Sequence, residues 1–125
     1  MSLIEQGQAI LSKLCAFDFA GLDAVMADDL VMELPYAPEP IPQKLEGKQA
    51  ALGVLGALEQ MFDVFSLNVH DAYEAPGENT AILEATALGV RSEGGTYQNR
   101  YVFVFTFEDG KLKRWLEFFN PNLMG

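Results

Sequence analysis

The residue best suited to chemistry is Glu117, which stands between Trp115 and Phe119 near the C-terminus. In a strand these three side chains would share one face, because successive residues alternate between the two faces. Aromatic neighbours remove water from a carboxyl group, which raises its pKa toward neutrality and makes it a usable acid or base. We therefore predict that Glu117 is catalytic. The alternative is a solvated or salt-bridged glutamate on an outer sheet face.

Two polar residues, Asn99 and Tyr101, are the predicted hydrogen-bond donors of the same site. They belong to an alternating segment, 97–107, whose shared face carries, besides them, Tyr97, Phe103, Phe105 and Phe107. Polar groups on a face that must be covered need partners, so this pair indicates a small-molecule pocket rather than plain core. Either side chain could donate a hydrogen bond to a carbonyl or enolate oxygen.

The predicted pocket wall draws further residues from several segments. They are Trp115, Phe119 and Phe103, together with Leu34 and Tyr36 from one side of a short strand, and Glu84 as a second carboxyl group. Glu84 lies mid-strand among aliphatic residues, where a lone carboxylate is unusual. Its alternatives are a side chain in solvent or an ion pair with Arg91 or Arg100.

The orientation of Glu117 depends on the hairpin at Asp109-Gly110, the strongest hairpin signal in the chain. A strict two-residue loop places Glu117 opposite Val102. A three-residue loop with a bulge places it opposite Tyr101, on the aromatic face. The sequence alone leaves both registers open.

Other reaction classes lack their residues. With His70 and Cys15 as the only histidine and cysteine, a transition-metal site would depend on carboxylates, so we predict no metal and no cofactor. The chain has no glycine-rich phosphate loop and no nucleophilic serine motif. His70 is expected to be a surface residue or a satisfied strand residue.

Composition limits the partners. The 125 residues suit a single domain over 1–125, and 50% hydrophobic content is enough for a packed core. A formal charge of −10 repels nucleic acid and anionic membrane surfaces, so we expect neither as a partner. The sequence has neither a signal-peptide pattern nor an apolar run of about 20 residues. We expect a soluble, cytoplasmic protein that binds a small hydrophobic molecule.

The predicted elements run from helices to strands. Apolar spacing from Leu3 predicts one helix, Asp18 is the expected N-cap of a second that ends at Asp28 and Asp29, and 48–62 is a third. Strands are expected at 30–36, 65–73, 80–90, 97–107 and 112–119, and the proline-rich stretch 35–42 is expected to be a flap over an opening. This order predicts an α+β fold, with three N-terminal helices packed on a curved, mostly antiparallel sheet that encloses a pocket.

Several motifs resemble those of the SnoaL-like, ketosteroid-isomerase-like (NTF2-like) superfamily. They are ADD at 27–29, MELP at 32–35, EGKQA at 46–50, YQNRY at 97–101, EDGKL at 108–112 and EFFNP at 117–121. The last is most similar to the Glu-Phe-x-Asn-Pro ending of the small phenazine-biosynthesis proteins. The resemblance implies a cone-shaped domain, usually a homodimer that pairs through the outer sheet face. That face would present Val102, Val104, Thr106, Leu116 and Phe118.

The resemblance also implies a role for Glu117. In the phenazine proteins the glutamate of this motif is an acid/base group, which favours the inward register here. The positions that match the catalytic residues of ketosteroid isomerases hold Leu34, Ile10 and Phe103, which argues against a steroid-isomerase mechanism. The predicted function is a cofactor-free isomerase, cyclase or condensing enzyme acting on a small hydrophobic carbonyl compound. The alternative is a non-catalytic binding protein of the same fold.

Overall fold

The computed structural model describes residues 1–124. Its helices are α1 Leu3–Cys15, α2 Phe19–Val25, α3 Lys48–Leu55 and α4 Leu58–Met61. Its strands are β1 Met26–Glu33, β2 Lys44–Glu46, β3 Phe62–Ala75, β4 Thr80–Arg91, β5 Thr96–Glu108 and β6 Lys111–Phe119. No helix among these residues is both long enough and apolar enough to cross a membrane.

The six strands form one sheet in the order β2-β1-β6-β5-β4-β3. Every neighbouring pair is antiparallel except β1 and β6, which run parallel. Helix α1 packs on β3 and β4, and α3 packs on β1. The predicted α+β fold, with helices packed on a curved and mostly antiparallel sheet, is confirmed.

The alternation of β5 produces the core. Its inward residues, Tyr97, Asn99, Tyr101, Phe103, Phe105 and Phe107, are all buried. Trp115 of β6 is fully buried and meets the rings of Phe103 and Phe105 edge-on, at centroid distances of 6.2 and 5.0 Å. Such aromatic pairs contribute about 0.5–1.5 kcal/mol each beyond their buried area. This aromatic stack fixes the position of the middle of β6.

Several predicted boundaries were wrong, among them the strand expected at 30–36, which is β1 Met26–Glu33. Asp28 and Asp29 do not end α2 but lie in β1, where Asp28 and Asp29 are paired with Lys48 and Lys113 respectively. Those cations come from distant parts of the chain, so a local reading could not supply them. The third predicted helix is interrupted near Gly56, whose low helix propensity permits the break into α3 and α4.

The hairpin between β5 and β6 combines features of both predicted registers. Asp109 and Gly110 both have positive φ, 52° and 77°, which is the requirement of a two-residue type I′ turn. The pairing then shifts between Phe107 and Thr106, so that Lys113 is an extra residue on β6. Glu117 consequently pairs with Phe103, opposite neither Val102 nor Tyr101, and lies on the aromatic face.

We propose that the outer face of the sheet pairs two copies of this chain. Besides the partly exposed Val102, Val104, Leu116 and Phe118, it displays Val64, Leu88 and Val90 at 54%, 53% and 45% exposure. Exposed apolar area of this kind usually marks an interface. Sedimentation should show a dimer at micromolar concentration, and Val104→Glu should shift it toward monomer. Leu123→Glu is the control at another exposed apolar position, and a monomeric wild-type protein would contradict the proposal.

Candidate functional site

A cavity of about 150 Å³ lies between the inner face of the sheet and the helices. Most of its wall is apolar, with Leu55, Leu58 and Met61 from α3 and α4, and Ile41 from the proline-rich stretch. Ile41 brings the proline-rich stretch to the cavity wall, and its role as a flap stays a prediction. Only two charged side chains, Glu117 and Arg91, are among the lining residues described. The phenol groups of Tyr97 and Tyr101 are the remaining polar groups of the lining side chains.

Glu117 is held in place by its neighbour on the same face of β6. The indole Nε1–H of Trp115 donates a hydrogen bond to Oε1 of Glu117 at 3.0 Å. Within residues 1–124, Oε2 has no hydrogen-bond partner. Glu117 is partly buried, and its side chain lines the cavity. One oxygen is therefore fixed and the other is available to a ligand.

The pKa of Glu117 is raised from 4.5 to about 7. Burial is the dominant cause, because it penalises the charged form, and the hydrogen bond from Trp115 opposes it only in part. Near neutral pH the group is therefore present in both protonation states. This is the condition under which one carboxyl group can both accept and return a proton.

A chain of hydrogen bonds organises the two tyrosines. The Oδ1 atom of Asn99 accepts from the backbone N–H groups of Arg100 and Asn120, at 2.7 and 3.1 Å. This fixes the amide, whose Nδ2 donates to Tyr97 Oη at 2.7 Å and to the Asn120 carbonyl at 3.0 Å. Tyr97 Oη and Tyr101 Oη are in turn 2.7 Å apart.

The tyrosine pair keeps one hydrogen for a ligand. Only one of the two phenolic hydrogens can lie between the oxygens, and neither hydroxyl has another acceptor within residues 1–124. Burial raises the pKa of both phenols, and the charge of Glu117 acts in the same direction. Both groups therefore stay protonated at neutral pH, which is the state that can donate to a developing negative charge.

Seven of the predicted site residues belong to the site, in two groups. Glu117, Tyr101, Phe103, Phe119 and Leu34 line the cavity. Asn99 and Trp115 do not line it but lie behind it, where they orient Tyr97 and Glu117 through the hydrogen bonds above. Their contribution to the site is positional.

The prediction that Tyr36 and Glu84 belong to the cavity wall was wrong. Tyr36 is 58% exposed and packs on Phe118 at 5.7 Å between ring centroids, because β1 ends at Glu33 and its alternation does not continue. Glu84 does not line the cavity, and its carboxylate meets Arg100 at 3.9 Å and the Tyr73 hydroxyl at 3.4 Å. The carboxylate of Glu84 is therefore paired with side chains of neighbouring strands and does not face a ligand.

Sequence reasoning missed Tyr97 and Arg91. Tyr97 has the same alternation as Tyr101, so its position on the aromatic face was a sufficient signal. Arg91 ends β4 on the inward face that also carries Leu83, Ala85 and Ala87, one residue beyond the predicted strand 80–90. Extending that alternation by one residue would have found it. His70, by contrast, lies 2.6 Å from Thr86 Oγ1 on the exposed surface and takes no part in the site.

The raised pKa of Glu117 predicts a pH-dependent cost in stability. Between pH 4.5 and about 7 the folded state binds more protons than the unfolded state, so the free energy of unfolding falls as pH rises through this window. Glu117→Gln keeps an acceptor for Trp115 without the charge. The free energy of unfolding of this variant, minus that of the wild type, should be about 1–3 kcal/mol larger at pH 8 than at pH 5 when both are measured by urea unfolding.

The matched control is Glu84→Gln, which removes a carboxylate that does not line the cavity. It should show no comparable gain between the two pH values. If the difference in free energy of unfolding between Glu117→Gln and the wild type is the same at pH 5 and pH 8, the carboxyl group is well solvated in the folded state and the prediction is wrong.

Comparison with known proteins places this geometry in a family. The model of the SnoaL-like domain matches residues 9–115. The chain is also 28% identical, over 126 residues, to the uncharacterized protein YesE of Bacillus subtilis strain 168, covering 97% of this chain and 86% of that protein. Glu117 lies just beyond the matched segment, so its role depends on the geometry described above.

Solved structures share the same fold. A Bacillus subtilis protein with a provisional isomerase assignment is 27% identical with a TM-score of 0.80, covering 98% of this chain and 92% of that one. An NTF2-like protein from Burkholderia pseudomallei is 16% identical with a TM-score of 0.85, covering 99% of this chain and 95% of that one. A phenazine biosynthesis-related protein from Pseudomonas aeruginosa is 20% identical with a TM-score of 0.75, covering 97% of this chain and 79% of that one. The resemblance found in the sequence is confirmed: the chain belongs to the SnoaL-like domain family and has the NTF2-like fold.

Proposed function

We propose that this protein is a cofactor-free acid/base enzyme acting on a small hydrophobic carbonyl compound in the cavity. The observation that supports this most strongly is a carboxyl group with a pKa near 7 in an otherwise apolar cavity that also contains a phenolic donor. Acid, donor and dry surroundings are the components needed for proton transfer next to a carbonyl group. The provisional isomerase assignment of the Bacillus subtilis structure is consistent with this class of reaction.

The proposed step is a proton transfer through an enolate. Ionised Glu117 removes a proton from the carbon beside the carbonyl, and the electron pair of the broken C–H bond moves onto the carbonyl oxygen. The free phenolic O–H of the Tyr97–Tyr101 pair donates to that oxygen as its charge develops. Return of the proton to another carbon gives isomerisation. If the carboxyl hydrogen first exchanges with water, its return to the same carbon gives hydrogen exchange. If the enolate carbon instead attacks a second carbonyl carbon of the substrate, a ring closes and protonated Glu117 gives its proton to the oxygen of that carbonyl.

The size of the cavity limits the substrate. An engineered cavity of about 150 Å³ binds benzene, so a cavity of this volume accommodates roughly one ring. A steroid-isomerase mechanism is also disfavoured. The positions that match its catalytic groups hold apolar residues, of which Leu34 and Phe103 line the wall and Ile10 is buried in the core. We therefore expect a monocyclic or short-chain substrate and a mechanism based on β6.

The alternative function is binding without chemistry. It is favoured by the apolar residues at those same positions, which leave Glu117 as the only carboxylate on the described wall. A binding protein would hold the same class of ligand, but would not exchange the hydrogens of its carbon atoms.

Phenylacetone, a one-ring ketone with acidic C–H groups, can distinguish the two functions. In D2O, followed by NMR, the wild-type protein should catalyse hydrogen exchange beside the carbonyl. The rate should rise about tenfold per pH unit below pH 7 and level off above it, because the ionised form of Glu117 is the base. Glu117→Gln should lower the rate roughly 10²- to 10⁴-fold, and Tyr101→Phe roughly 10- to 10³-fold, with binding retained.

Glu84→Gln is again the matched control and should exchange at the wild-type rate. If phenylacetone binds but the wild-type protein does not accelerate exchange, the binding function replaces the catalytic one. If the Glu117→Gln variant exchanges as fast as the wild type, the base lies elsewhere.

A further inference from the structure

Arg91 is the only cationic side chain on the described wall of the cavity. It ends β4, pairs across the sheet with Phe62, and is partly buried. Neither the proton transfer at Glu117 nor the tyrosine pair makes use of it. A cation in an otherwise apolar wall needs a physical reason, because burial of a charge without a partner is costly.

The guanidinium group is held against two aromatic rings. Its central carbon lies 5.3 Å from the centroid of Tyr97 and 6.0 Å from that of Phe62. Cation–π contacts of this kind attract a cation to the ring face but do not neutralise it. A planar guanidinium so placed retains N–H donors in a fixed fork, the geometry that matches a carboxylate.

Arg91 also differs from the other two arginines because it has no carboxylate partner within residues 1–124. Arg100 lies 3.9 Å from Glu84 and Arg114 lies 3.0 Å from Glu33. The chain has 18 acidic residues, yet no carboxylate oxygen within residues 1–124 lies within 4.0 Å of the Arg91 guanidinium. The nearby Asp63 instead accepts a hydrogen bond from Ser92 Oγ at 3.1 Å. The cation of the cavity is thus left unpaired in a strongly acidic protein.

We propose that Arg91 binds the carboxylate of an anionic ligand, so that the substrate is a small apolar carboxylic acid which also contains the reacting carbonyl group. This deepens the proposed function and rests on it only for what happens at Glu117. The two charged residues act at different points: Arg91 stacks on Tyr97, whereas Trp115 holds Glu117. The negative charge of ionised Glu117 disfavours a second carboxylate beside it, which directs the ligand's carboxylate to Arg91.

The test compares two ligands of nearly the same shape, phenylacetate and phenylacetamide, by calorimetric titration. At pH 6 phenylacetate is ionised, since simple carboxyl groups have a pKa of about 4, whereas Glu117 is mostly protonated. The wild-type protein should bind phenylacetate roughly tenfold more tightly than the amide, as expected for a charge-assisted bidentate contact. Arg91→Gln should remove that preference and leave the affinity for phenylacetamide within about twofold.

Arg100→Gln is the matched control, with the same change of charge at an arginine that does not line the cavity, and should keep the preference. Equal affinity of the wild type for both ligands, or a preference that survives in Arg91→Gln, overturns this inference. In that case Arg91 only packs on the rings of Tyr97 and Phe62. Failure of both ligands to bind overturns it as well.

The outcome is separable from that of the proposed function. Glu117→Gln should retain the preference for phenylacetate, because the proposal for Arg91 concerns binding and not proton transfer. Loss of hydrogen exchange with an intact preference would leave a carboxylate-binding protein. Exchange that depends on Glu117, without any preference, would leave an enzyme for neutral carbonyl compounds.

Discussion

The site depends on the placement of one carboxyl group where water cannot fully hydrate it. That placement is decided by a single extra residue in β6, Lys113, which shifts the pairing so that Glu117 faces Phe103. Without this bulge the strict register would turn Glu117 to the outer face, because a slip of one residue exchanges the two faces of a strand. The raised pKa, the free oxygen and the proximity of the tyrosine pair all follow from this register.

The surroundings of the bulge explain why it persists. Lys113 is close to Asp29 of β1 and lies 3.9 Å from Glu108 of β5, so its side chain has an acidic partner on each of the two strands that flank β6. On the other side, the burial of Trp115 against Phe103 and Phe105 keeps the middle of β6 in a fixed position. Desolvation of Glu117 costs free energy in the folded state, and this aromatic packing offsets it.

Much of the architecture could be predicted because it depends on local alternation. The aromatic face of β5, the turn at Asp109-Gly110 and the N-cap at Asp18 are all properties of neighbouring residues, and the structure contains each of them. The alternation also brought Tyr101 and Phe103 correctly to the cavity.

The errors come from misplaced strand ends and from interactions between distant residues. Tyr36 was placed by extending an alternation past the end of β1. Glu84 was placed on the wall, whereas the alternative of an ion pair with Arg100 on the next strand is the one that the structure contains. Arg91 was missed because the predicted strand ended at residue 90, whereas β4 continues to Arg91 on its inward face. The bulge at Lys113 depends on distant residues, because its acidic partners come from other strands. The register that it produces is neither of the two predicted from the sequence.

A direct titration of Glu117 tests the central claim, that its register places it in a dry cavity. The side-chain carboxyl carbon can be followed by carbon-13 NMR between pH 5 and pH 9, and assigned by the loss of its signal in Glu117→Gln. The account predicts a midpoint near 7, as burial requires. A signal already fully ionised at pH 6, as expected for an ordinary glutamate with a pKa of about 4.3, would contradict it.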